Sequence, residues 1–167
     1  MKRTLAGAAT ALLLAACAAH YVAPTAGPTA SVTFAAEGIP AGAWVTVQNF
    51  ADEACAESAE GNRLATFTTT AVQGQGAPHA GVARQMPADR PLVATFLFQQ
   101  GAAGFTDYAT CSVTSTFVPA AGGRYRMQYR VSPGQCAVTV IREDGPAPGP
   151  VASARKVEPA CINSITG

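Results

Sequence analysis

Short stretches in which apolar and polar residues alternate with a period of two recur along most of this chain. The clearest runs from Arg124 to Val131. There Tyr125, Met127, Tyr129 and Val131 fall on one side and Arg124, Arg126, Gln128 and Arg130 on the other, as in a pleated strand with one dry and one wet face. Ser112 to Val118 precedes it across the turn Pro119-Ala120-Ala121-Gly122-Gly123, and Cys136 to Arg142 follows it across Ser132-Pro133-Gly134-Gln135. The three runs predict an antiparallel meander.

Upstream, Ser31 to Phe34, Trp44 to Phe50, Leu64 to Thr70 and Leu92 to Gln99 are rich in Val, Thr, Phe and Leu and bounded by Gly, Pro or Asn, which predicts four more strands. No convincing amphipathic helical stretch interrupts them, although Asp52 to Ala59 would suit a short helical turn. The expected fold is therefore all-β: a single antiparallel β-sandwich of about seven strands, with a small closed barrel as the alternative that strand counting leaves open.

The N-terminus breaks the pattern. Met1, Lys2 and Arg3 lead into an uncharged run from Leu5 to Ala16, too short for a helix crossing a bilayer, which needs about 20 residues, but suited to an export signal. The run ends Leu14-Ala15-Ala16-Cys17, which resembles the lipobox of bacterial lipoproteins. The resemblance implies cleavage after Ala16, lipid attachment at Cys17 with diacylglycerol on its thiol and an acyl chain (palmitate-like) on its amine, and anchoring by several chains, since one holds a protein only marginally. Ala18, in place of an Asp after the cysteine, implies the outer membrane, with the domain facing the periplasm from the inner leaflet. The expected organisation is a signal peptide at 1–16, the lipidated Cys17 and a flexible Ala/Pro/Thr/Gly tether over 17–30, and the sandwich over 31–167.

Loss of the signal removes Lys2 and Arg3 and leaves nine basic against ten acidic residues, a formal charge of −1. Nothing in that balance favours nucleic acid. The lipobox also accounts for the odd cysteine count: with Cys17 consumed, Cys55, Cys111, Cys136 and Cys161 remain, without a CxxC pair. In an oxidising compartment they predict two disulfides more readily than a metal site. In a flat meander Cys111 and Cys136 would stand about 9 to 10 Å apart, beyond the roughly 7 Å a disulfide tolerates. The preferred pairing is therefore Cys55 to Cys111 and Cys136 to Cys161, the latter made by the segment after Gly145-Pro146-Ala147-Pro148-Gly149-Pro150 doubling back.

Chemistry is sparse. Outside the tether the single histidine is His79, in the Gly-rich stretch Gln73 to Ala83. It has no GxSxG elbow to serve and no second His at ligand spacing, so a solvated loop histidine is favoured over a catalytic one. Asp52, Glu53, Glu57 and Glu60 cluster without the alternating loop that calcium requires. Arg124, Arg126 and Arg130 form a basic stripe that would suit an anionic ligand such as lipopolysaccharide, but pairing with Glu143 and Asp144 across the sheet is the commoner cause. Trp44, Tyr108, Tyr125 and Tyr129 read as packing residues rather than a sugar platform. No catalytic residue, metal or cofactor is expected.

The stretch Cys111 to Pro119, with Gly123-Arg124-Tyr125-Arg126 and Gly134-Gln135-Cys136, is similar to the C-terminal half of small uncharacterised proteobacterial lipoproteins, and implies a fold without implying an activity. The functional expectation is a lipid-anchored, non-catalytic interaction or structural module of the cell envelope. Its partners would be the membrane, through the N-terminal lipid, and an envelope protein or glycan. The alternatives are a periplasmic domain binding a lipid or small ligand and, with least support, a hydrolase resting on His79.

Overall fold

The computed structural model describes residues 20–69, 81–101 and 108–162, which form a sandwich of two five-stranded sheets without a helix among them. The strands are β1 (Thr29–Glu37), β2 (Ala43–Phe50), β3 (Arg63–Thr68), β4 (Val82–Pro87), β5 (Leu92–Gly101), β6 (Tyr108–Phe117), β7 (Arg124–Ser132), β8 (Gln135–Arg142), β9 (Gly149–Pro150) and β10 (Arg155–Val157). One sheet runs β4-β1-β7-β8-β9 and the other β10-β6-β5-β2-β3. All pairings are antiparallel except β1 with β7, which is parallel. Gly38 ends β1 at φ +74°, where a Cβ would stand 2.3 Å from the Val131 carbonyl oxygen, so both the backbone conformation and the close approach to β7 require glycine.

The core forms where the dry faces meet. Val32, Phe34 and Ala36 of β1 and Tyr125, Met127 and Tyr129 of β7 pack against Val45 and Val47 of β2 and Phe96 and Phe98 of β5, all buried. The Phe96 and Tyr129 rings stack with centroids 5.3 Å apart, and the Tyr129 hydroxyl donates across the sandwich to the Cys111 carbonyl at 2.9 Å. The tyrosine thus fills the interior while its polar end is satisfied by the facing sheet.

The β10-β6-β5-β2-β3 sheet is buried on its outer face as well. Thr95 and Thr114 share a hydroxyl–hydroxyl bond of 2.6 Å there, and the Cys161 amide donates to the Thr114 hydroxyl at 2.8 Å. Phe50, Val93, Cys55 and Cys161 form a second apolar cluster on this side. The C-terminal segment is thus laid over the sheet by its cysteine.

Three expectations are corrected. β6 does not join β7 and β8 in a meander: it pairs with β5 and β10 in the opposite sheet. The six-residue connection Val118–Gly123 carries the chain across the sandwich, whereas the two-residue Pro133-Gly134 turn does make the β7–β8 hairpin. The disulfides accordingly join Cys55 to Cys161, with Cα atoms 5.2 Å apart, and Cys111 to Cys136 at 6.3 Å, not Cys55 to Cys111 and Cys136 to Cys161. Cys111 and Cys136 are near because they face each other from two sheets that converge at this flank. The third correction is Asp52 to Ala59, which is a hydrogen-bonded turn with Cys55 at φ 68° rather than a helical one.

Of the flexible tether expected over 17–30, residues 20–22 are instead bonded to the sandwich. Tyr21 is buried at 9% exposure in the main core cluster, its amide bonded to the Arg63 carbonyl at 3.1 Å and its hydroxyl to the Gln85 carbonyl at 2.8 Å. A segment poor in large apolar residues is held by the single aromatic ring it carries.

Candidate functional site

Among the described residues, those singled out by sequence do not converge. Cys17, His79 and the side chain of Tyr108 lie outside the described residues. Arg126 pairs with Glu143 at 2.7 Å as expected. Asp144 instead pairs with Arg142, also at 2.7 Å, and the guanidinium of Arg142 lies over the Tyr125 ring. Arg130 is held by Glu37 of the parallel neighbour β1. Trp44 donates to Gln99 across the β2–β5 ladder at 3.0 Å, and the Tyr125 hydroxyl accepts from the Ala120 amide at 3.0 Å.

The acidic cluster is divided among separate partners. Asp52 accepts from the Ala56 amide at 3.2 Å, Glu53 holds Arg155 at 2.6 Å, and Glu60 is met by Ser58 at 2.6 Å and by Arg90. Among the described residues no group of three His, Cys, Asp or Glu side chains is placed to hold a metal ion. The hydrogen bond from Ser58, then those from its own backbone amide and from Arg90, hold the Glu60 carboxyl below the usual range against its partial burial. Asn49 extends this chain by donating to Ser58 at 2.7 Å, beside a small cleft of about 190 Å³.

A larger groove, of about 350 Å³, opens at the flank where β8 and β9 of one sheet face β6 and β10 of the other. Val113, Val138, Val140 and Val151 give it apolar walls, Cys136 lies at one side, and Arg155 and Lys156 edge it. The flank is open because both edge strands are short: β9 pairs only with Ile141 and Arg142, and β10 only with Thr114–Thr116. Among the described residues no strand pairs with the outer edge of β8 between Gln135 and Thr139.

The direction of that edge follows from one bond. The Val151 amide donates to the Val140 carbonyl at 3.0 Å, so the backbone polar groups of Val140 point away from β7, and by the two-residue period so do those of Val138 and Cys136. The side chains of these same residues turn inward to the core margin. Among the described residues the edge thus presents N–H and C=O groups without a backbone partner directly beside apolar walls. Natural edges are usually blunted by charge or proline, yet Gln135-Cys136-Ala137-Val138-Thr139-Val140 carries neither. That absence is the signal in the sequence. It becomes informative only once β8 is known to be an edge, which the expected meander does not reveal. Compared with known proteins, the chain matches no family model, no curated protein and no solved structure.

Proposed function

We propose that this protein is an exported, lipid-anchored, non-catalytic module of a bacterial cell envelope, held through Cys17 at the periplasmic side of the outer membrane, and that it receives an extended segment of an envelope partner on the free edge of β8. The observation that carries the docking site is the uncharged, outward-facing edge of Cys136 and Val138 beside the apolar groove. An added strand would satisfy those backbone groups while its alternate side chains entered the groove. Two disulfides suit an oxidising compartment, and the lipobox supplies the anchor.

The test is amide exchange with the natural envelope extract and with synthetic peptides of alternating valine and threonine. The Cys136 and Val138 amides gain protection when the edge is occupied. Val138→Pro removes an outward N–H without removing a β7–β8 bond, so it abolishes the protection of the Cys136 amide while near-ultraviolet dichroism stays native. Exchange at both amides that no extract or peptide slows counts against strand addition. The groove volume also lies in the range of small-ligand sites. A lipid or other small apolar molecule retained by the purified protein, with its contacts at Val113 and Val151, favours that second reading.

A further inference from the structure

We infer that the β3–β4 flank of the sandwich, around Tyr21, lies against the phosphate-bearing headgroups of the leaflet that holds Cys17, so that the β8 groove on the opposite flank faces the periplasm; the inference rests on the Cys17 anchor proposed above.

The first support is length. His20 makes a bridge with Arg63, and the amides of Tyr21 and Val22 donate to the carbonyls of Arg63 and Glu60 at 3.1 and 2.7 Å. Only Cys17, Ala18 and Ala19 then separate the lipid from the fixed body. Fully extended, three residues span about 10 Å, and roughly half of that is taken up in crossing the headgroup layer. A domain of this size has a radius of gyration of about 14 Å, so the leash is shorter than the body it holds. The body cannot turn its anchored flank away without pulling Tyr21 out of the core.

The second support is charge. Arg84 and Arg90 lie close enough to Tyr21 to act on its hydroxyl, as does Glu60. The charges that act on that hydroxyl, two arginines against one carboxylate, leave a formal +1. Arg90 is engaged by Glu60. Arg84 donates from Nε to the Leu64 carbonyl at 3.0 Å, and among the described residues it has no carboxylate partner. The Arg84 guanidinium, without a carboxylate and close to where the chain leaves for the membrane, matches a lipid phosphate. Val22, next to the buried Tyr21, is 67% exposed and adds an apolar contact at the same place.

The test uses the lipidated, full-length protein in nanodiscs whose headgroups carry a nitroxide quencher. Trp44 is the single tryptophan, so Trp44→Phe provides a silent background into which Val22→Trp or Thr139→Trp is placed. In anionic discs Val22→Trp is quenched at least threefold more than Thr139→Trp, and Arg84→Gln reduces that ratio. Equal quenching at the two positions in a lipidated protein overturns the orientation and leaves the anchor standing. A ratio that survives Arg84→Gln and zwitterionic lipid overturns the phosphate contact. A Cys17 that carries no lipid in protein isolated from its own envelope overturns both the anchor and the orientation.

Discussion

The two flanks of this sandwich face the same difficulty, an open seam between two sheets, and resolve it differently. On the β3–β4 side the seam is filled without a covalent bond: Tyr21 inserts its ring, its hydroxyl reaches Gln85 of one sheet, and its backbone is tied to Arg63 of the other. On the β6–β8 side the sheets are joined by Cys111–Cys136, and the seam beside the bridge remains a groove. A plug removes water from the whole seam, whereas a bridge fixes spacing at one point and leaves room next to it. The first arrangement suits a flank that is to be closed, the second one that is to receive something.

The largest expected effect is on the plugged side. Tyr21→Ala removes a ring at 9% exposure together with its hydrogen bond, and should cost about 3 to 4 kcal/mol in urea unfolding. A loss below about 1 kcal/mol would mean that the segment rests on the seam without sealing it, and the contrast between the flanks would fail. Replacing Cys111 and Cys136 together by alanine should cost about 3 kcal/mol, since the bridge closes a separation of 25 residues. It should also broaden the Val113 and Val138 methyl resonances on the groove side while leaving those near Tyr21 sharp.

These flanks were unequally legible in sequence. The β7–β8 hairpin can be read because Pro133-Gly134 is a tight turn between strictly alternating runs. β6 is misplaced because its alternation, read alone, does not say which sheet it joins: Thr114 and Thr116 look like a wet face, but their sheet is covered on both sides. The same ambiguity misassigns the cysteines, as an intersheet bridge depends on which strands face each other. β9 and β10 are too short, at two and three residues, to leave a periodic signal. Tyr21 is missed for a different reason. One aromatic in a run of Ala, Pro and Thr has no periodicity, and only the seam waiting for it in the folded domain makes it a core residue.

A smaller effect separates the hydroxyl of Tyr21 from its ring. Tyr21→Phe should cost about 1 kcal/mol at neutral pH. Burial, reinforced by Glu60, pushes the Tyr21 hydroxyl up to about 12, and burial raises that of Tyr129 well above the ordinary tyrosine range. The folded chain therefore keeps protons that the unfolded chain releases, beginning near pH 10. Stability is unaffected by these groups below that point and falls as the pH rises through the range between the two values. Unfolding curves from pH 9 to 12 should steepen accordingly, and Tyr21→Phe should remove the part of the slope that belongs to the plug. A slope unchanged in that variant would assign the whole effect to Tyr129.

The smallest effect on stability is expected at the open flank, and it tests what that flank is for. Ala137 is exposed on β8, and its backbone groups face β7, so Ala137→Lys breaks no ladder bond and should change stability by less than about 0.5 kcal/mol. A lysine there gives the edge the charge that edge strands elsewhere carry, and an incoming strand would have to desolvate it. Protection of the Cys136 and Val138 amides by peptide or envelope extract should therefore fall although the fold is untouched. The same charge added at Thr66, an exposed position on β3 beside the plugged seam, should leave that protection unchanged. If both lysines act alike, the groove is an incidental gap beside a disulfide. If only Ala137→Lys acts, the uncharged edge is retained because a partner needs it, at a place where a solitary domain would be better protected by charge.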